Sequence, residues 1–184
     1  MKRHMEHKFW LWAILPLLLL LVTSSTSWAA PSYSFDNYHL DFLGNRAHFD
    51  GHVRVSDGER SVRADHAEVD LKTAFAFLQA NGEGEAKNLP FEVWAHGNVA
   101  LDADNVHLFA DRVHVIGKDK KAEMTGNVHL ECNGLTIQAD KATFHWDTGL
   151  ATFTGNASVN EKGKTFRGTE IVYNANTGRV QSKK

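Results

Sequence analysis

Apolar and polar side chains alternate in short runs along most of the chain, and a period of two predicts strands. Val53 and Val55 alternate with His52 and Arg54, and Val99 and Leu101 with Asn98 and Ala100. Val128, Leu130 and Cys132 oppose Asn127, His129 and Glu131. Further along each run a second face forms: Ala67, Val69 and Leu71, then Val113 and Val115, then Ala142, Phe144 and Trp146, then Ile171 and Tyr173. Helical periodicity is nearly absent from Ser32 to Lys184, so the expected fold class is all-β.

The same phrase recurs four times: FDGHVRVSDGERSVRADHAEVDL, AHGNVALDADNVHLFADRVHVIG, MTGNVHLECNGLTIQADKATFHW and FTGNASVNEKGKTFRGTEIVYNA. Gly51, Gly97, Gly126 and Gly155 open the copies, and Asp65, Asp111, Asp140 and Thr169 each follow 14 positions later (65 − 51, 111 − 97, 140 − 126, 169 − 155). The last three glycines are 29 apart (126 − 97 = 155 − 126). Each copy reads as two strands joined at SDGER, CNG or NEKGK, and successive copies are joined by turns such as Asp147-Thr148-Gly149 and Asn176-Thr177-Gly178. Glycine inside a strand marks a bulge, a bend or a close backbone approach. Four in register predict the line where each strand bends from one sheet to another, giving an open-ended stack of antiparallel strands with one apolar face inside.

Two stretches depart from the period. Between Leu71 and Val93 an insertion separates the first two glycines by 46 residues (97 − 51), 17 more than the regular 29. Within it Ala74 to Ala80 reads as a helical turn or a strand extension, and Asn81 to Pro90 as an exposed loop. Tyr38 to Phe42 followed by Gly44-Asn45 reads as the closing half of an incomplete earlier copy, an end unit of the array.

The N-terminus changes where this fold is expected to work. Lys2, Arg3 and Lys8 precede an apolar stretch from Phe9 to Val22, 14 residues against the roughly 20 of a membrane span, and TSSTSWAA follows. That is the layout of a secretory signal peptide, cleaved after Ala29, with residues 30–184 as one domain. Its units fall near 36–50, 51–92, 93–121, 122–150 and 151–180. The formal charge is −2 for the whole chain and −4 once Lys2, Arg3, Lys8 and Glu6 are removed, which argues against nucleic acid as a partner. Cys132 is the single cysteine, so no intramolecular disulfide is possible, and its phase with Val128 and Leu130 reads as a small buried hydrophobe.

G-N-V-x-L/V, a turn and A-D-K/R, repeated behind a signal peptide, resembles the LptA/OstA-like family, the periplasmic bridge proteins of lipopolysaccharide transport. DNYHLDFLGNRAHFD at 36–50, TGNVHLECNGLTIQADKATF and TGNASV carry the resemblance, which extends over about Asp36 to Val180. It implies a twisted, open β-jelly-roll whose two sheets form a V-shaped groove for the acyl chains of lipid A. It also implies head-to-tail stacking of monomers through edge strands, between an inner-membrane LptC-like and an outer-membrane LptD-like jelly-roll. Acyl-contacting candidates are Val53, Val55, Val69, Leu71, Val99, Leu101, Val113, Val115, Val128, Leu130, Phe144, Trp146, Val159, Ile171 and Tyr173. A groove wall and a sandwich core share one period-2 pattern, so both readings of these residues stay open. Thr169 in place of the recurring Asp, and Ala157 in place of Val, depart from the pattern in the last copy.

No chemistry competes with this reading. Nine of the eleven histidines follow residue 29, and His52, His66, His114, His129 and His145 fall on the polar phase without metal-ligand spacing, so neither metal nor cofactor is expected. G-x-S-x-G, H-E-x-x-H and P-loop patterns are missing from the sequence, so the function expected is non-enzymatic. The alternatives are a membrane-anchored LptC-like component, with residues 9–22 retained, and a ligand-free structural β-solenoid.

Overall fold

The computed structural model describes residues 32–56, 60–72, 92–103 and 106–183; the signal segment and the insertion at 73–91 lie outside them. Among the described residues thirteen strands form one antiparallel sheet. They are β1 (Ser32–Ser34), β2 (Asn37–Asp41), β3 (Arg46–Ser56), β4 (Arg60–Asp70), β5 (Glu92–Ala103), β6 (Val106–Ile116) and β7 (Lys121–Cys132). Then come β8 (Leu135–His145), β9 (Leu150–Thr154), β10 (Ser158–Glu161), β11 (Lys164–Arg167), β12 (Glu170–Asn174) and β13 (Arg179–Lys183). Their order in the sheet is close to their order in the chain. Asn133-Gly134 and Lys162-Gly163 close two hairpins with positive φ at both residues, the primed turn that matches strand twist.

The opening strand of each unit is interrupted at its Gly. Between Thr125 and Val128 β7 advances three residues while β8 advances two, from Lys141 to Ala139. The same one-residue excess occurs between Asp50 and Val53 on β3 and between His96 and Val99 on β5. At Gly155 it separates β9 from β10 altogether: Thr154 pairs Lys141, and Ser158 pairs Gln138. Two successive residues turn left-handed at each site, Gly126 at φ 77° and Asn127 at φ 47° being typical. Such bulges bend a strand and increase its twist. Repeated in register, they divide the sheet into two arms.

Residues before each Gly and after each recurring Asp make the first arm: β2, β9, β12, β13 and the corresponding halves of β3 to β8, ten strands in all. Residues after each Gly and before each Asp make the second: β1, β10, β11 and the other halves of β3 to β8, nine strands. The arms fold over one another. Val128 and Ile137 of the nine-strand arm share one buried cluster with Phe144, Phe153 and Ile171 of the ten-strand arm. Across the gap Tyr173 Oη lies 3.5 Å from Cys132 Sγ.

The recurring Asp holds the bend, and it does so across units. Asp36, Asp65, Asp111 and Asp140 sit mid-strand or at a strand break and press against Gly51, Gly97, Gly126 and Gly155 of the next unit. A Cβ at Gly126 would lie 2.8 Å from the Cβ of Asp111, inside van der Waals contact. The residue after each Gly then closes on the carboxylate. Asn127 Nδ2 donates to both oxygens of Asp111 at 3.2 and 3.0 Å, Asn98 to Asp65 at 2.9 Å and Asn156 to Asp140 at 2.8 Å. In the first unit His52 takes the place of Asn, its Nδ1 2.8 Å from Asp36. Only Gly tolerates both the left-handed backbone and the contact, which explains its recurrence.

Gly126→Ala is therefore expected to cost about 2–5 kcal/mol, combining backbone strain with a steric clash. Gly134→Ala, where the same φ meets open space, should cost about 1 kcal/mol. Urea unfolding of both variants checks the difference. The hydrogen bond that His52 donates to the Asp36 carboxylate, together with the carboxylate's charge, raises the His52 pKa above the ordinary histidine value. A raised cation pKa means that this clasp contributes most below about pH 6.5 and fades as pH rises. Hydrogen exchange near Gly51 should therefore accelerate from pH 6 to pH 8 beyond the intrinsic rate, and His52→Asn should remove the excess.

Candidate functional site

The interior between the arms holds the buried apolar cluster of the described residues. It has two sources. The opening strands supply Val53, Val55, Val99, Leu101, Val128, Leu130 and Val159 to the nine-strand arm. The returning strands supply Val69, Val113, Val115, Phe144, Ile171 and Tyr173 to the ten-strand arm, with Leu71 and Trp146 just past its strand ends. The two sets face one another.

Other residues complete both walls. On each returning strand the inward phase switches at the Asp. Ala139 is buried, Asp140 and Lys141 both point out, and Ala142 is buried again. Inward positions therefore change from odd to even numbers, and Leu135, Ile137 and Ala139 join the nine-strand wall. Ahead of the glycines, Ala47, Ala122, Met124, Ala151 and Phe153 join the ten-strand wall. Alternation read from either end of a returning strand does not carry across the switch, although a recurring Ala-Asp pair followed by an even step signals it.

The interior is filled unequally. At the β7–β12 end Ile137 and Ile171 are 0% exposed, Val128 and Phe153 1%, and Phe144 and Val159 3%. Towards β2 the filling thins. Val53, Leu71 and Val99 stay buried, yet Val55, Val69, Val93 and Leu101 are only half-buried, and Leu40 and Tyr38 on β2 are exposed. Alanines line the walls at both ends, Ala47 and Ala64 here and Ala122, Ala142 and Ala151 at the packed end, so the contrast lies in the buried Phe and Ile side chains of the latter.

At the tightly packed end the two arms touch at their far tips. Tyr173 reaches Cys132, and a cavity of about 110 Å³ lies beside them, lined by Asn133, Leu135, Lys162 and Gly178 among others. Burial pushes the Tyr173 hydroxyl above the usual tyrosine range, and the Cys132 contact adds to it.

The ion pairs and ring stacks of the described residues lie on the outer face. Asp102 receives Arg63 at 2.9 Å and lies 2.9 Å from His107 Nδ1; partial burial opposes its ionisation, but these two partners outweigh it and lower its pKa. His39 stacks on His48, His66 on His96, and Trp94 on His114, while the Arg46 guanidinium lies 3.4 Å above the Trp94 ring. The histidines thus form cross-strand pairs on the outer face. No group of three or more His, Cys, Asp or Glu side chains that could hold a metal ion occurs among the described residues.

Residues 85–179, more than half of the chain, match the family described as LptA/(LptD N-terminal domain) LPS transport protein. The chain belongs to this family. Among solved structures, 21 chains are similar to it. One is LptH, the LptA-homologous periplasmic component of the lipopolysaccharide transport device of Pseudomonas aeruginosa. It is 14% identical, with 84% of this chain and 82% of that chain covered at a TM-score of 0.32. No curated protein matches the chain.

The filling gradient sets a stability contrast. Ile137→Ala removes a fully enclosed side chain and should cost about 2–5 kcal/mol. Leu101→Ala, at the half-buried end, should cost less than half as much, as read by thermal or chemical unfolding of both variants.

Proposed function

We propose that this chain is a non-enzymatic periplasmic lipid-transfer protein, carrying lipopolysaccharide from an inner-membrane export complex to an outer-membrane assembly complex. The family match together with the two facing apolar walls carries this reading. Acyl chains in water lose about 0.8 kcal/mol for each CH₂ left exposed, so a many-chained lipid needs a continuous apolar lining. Side chains alternating inward along every strand supply one.

Lipid A enters where the walls are least filled, beside Val55, Val69, Val93 and Leu101. Passage towards β12 needs the arms to part, because Phe144, Phe153 and Ile171 leave no room between them while packed. An unclosed sheet permits such parting: among the described residues β1 and β2 at one end and β11 and β13 at the other have no further strand beside them. The same edges join this chain to LptC-like and LptD-like jelly-rolls and to further copies of itself by strand addition. Contacts along the walls are alike in chemistry, so direction comes from an energy-consuming step elsewhere. Residues 1–29 direct export, and the exported protein should begin at Ala30 on N-terminal sequencing; a retained segment would instead identify the anchored component.

Photo-crosslinking amino acids placed in cells at Leu101 and Leu130 should yield lipopolysaccharide adducts, and the same group at the outward-facing Lys141 should yield none. Folded, exported protein without an adduct at either interior position would overturn the transfer reading.

A further inference from the structure

The arms are joined along the bend line, so the space between them opens at the opposite edge, where the hairpin turns of each arm form a lip. Asn133-Gly134 and Lys162-Gly163 belong to the lip of the nine-strand arm, and the turn through Gly178 to that of the ten-strand arm. A lipid seated between the walls has a sugar head that cannot follow its chains inside, because polar groups buried without partners are costly. The head projects between the lips instead, and it travels along the sheet only where the lips stand apart.

At the β7–β12 end the lips touch. Cys132 is the last residue of β7 and Tyr173 the next to last of β12, and sulfur and hydroxyl lie 3.5 Å apart across the mouth. The two sides of this contact are held differently. Cys132 is buried at the base of the primed turn, and Asn133 Nδ2 donates to its sulfur at 3.5 Å. Tyr173 is half-buried, and it borders the cavity of about 110 Å³ that Leu135 and Lys162 line from one lip and Gly178 from the other. Interiors are otherwise close-packed, so a void beside the ring gives Tyr173 a freedom to swing that Cys132 lacks. The contact is also weak, since sulfur is a poor hydrogen-bond partner. Burial keeps the Tyr173 hydroxyl protonated, so no ion pair holds the lips together.

The pair occurs at one place in the array. One repeat earlier the same two positions hold Ala103 and Phe144 (132 − 29 and 173 − 29), which carry no polar tip. The contact also stands where the interior changes character: Val69 and Leu101 are half-buried on its β2 side, whereas Leu130, Ile137 and Ile171 beside it are sealed.

We propose that Tyr173 and Cys132 form a latch across the mouth of the groove. A lipid held at the half-open end waits there until the Tyr173 ring swings aside, and its head then passes between the parted lips. This rests on the transfer reading above and adds the position at which passage is checked. The interior packing and the latch act on different parts of one molecule: the first must yield to the chains, the second to the head.

The test bridges the lips in the exported full chain. Tyr173→Cys places a second thiol opposite the native Cys132, and dibromobimane, which fluoresces once both of its arms have reacted, ties the two together. Photo-crosslinking amino acids at Leu101 or Leu130 then report where purified lipopolysaccharide sits. In the bridged protein the Leu101 adduct should persist, while the Leu130 adduct should fall about tenfold below that of the same variant left unbridged. Tyr173→Leu keeps an apolar wall but cannot reach Cys132, and it should speed formation of the Leu130 adduct severalfold without changing that of Leu101. Thiols that no reagent bridges, a Leu130 adduct undiminished by the bridge, or one unaltered by Tyr173→Leu in a folded protein would each overturn the latch. Adducts at both positions whatever the state of the bridge would show that the latch fails while the transfer reading survives. Their absence from both positions of the folded, unbridged protein would overturn the transfer reading itself.

Discussion

The contact between an Asp side chain and a Gly-Asn backbone step in the neighbouring unit is the constraint on which the rest of this structure depends. It fixes a left-handed pair of residues in the middle of a strand, where pairing alone would favour continuous extension. It also fixes the place of the bend, because a side chain at the Gly would collide with the Asp. Each carboxylate therefore acts on the unit after its own. In the last described unit Thr169 stands at the Asp position, and its backbone N–H and hydroxyl both donate to the Lys183 carbonyl.

From this bend line come both the two walls and their unequal filling. Bulges in register fold one sheet onto itself, so its inner faces find cover without a second sheet or a helix. How completely they are covered depends on side-chain volume. Phe144, Phe153, Ile137 and Ile171 close the β7–β12 end, whereas Val55, Val69, Val93 and Leu101 stay half-open towards β2. A closed end and a slack end in one interior combine buried apolar area, which holds the sheet folded without an intramolecular disulfide, with apolar surface left partly open.

Strand content, hairpin positions and repeat length were legible in the sequence because each depends on local rules: alternation for strands, Asn-Gly and Asp-x-Gly for turns, a fixed offset for units. Two features were not. The 14-residue offset from Gly126 to Asp140 lies within a unit, but the physical contact runs from Asp111 to Gly126 and from Asp140 to Gly155. A constant spacing reveals the period without revealing which members touch. The switch of inward phase at Ala139-Asp140-Lys141 hid Ile137 and Leu135 from a reading that follows alternation back from Phe144. Filling was illegible for another reason. Val69 and Val128 occupy equally regular alternating positions, and only the opposing arm decides that one is half-open and the other sealed.

Because strands β3 to β9 pair in the order in which they are made, almost every contact in the sheet joins neighbours along the chain. Ordering can spread from any formed hairpin to the next without waiting for distant segments to meet. Such an architecture has no privileged length. Adding or deleting one 29-residue unit would lengthen or shorten the sheet by two strands, keep the handedness of both ends, and leave every remaining clasp with its partner. Span thereby becomes a quantity that duplication alone can adjust.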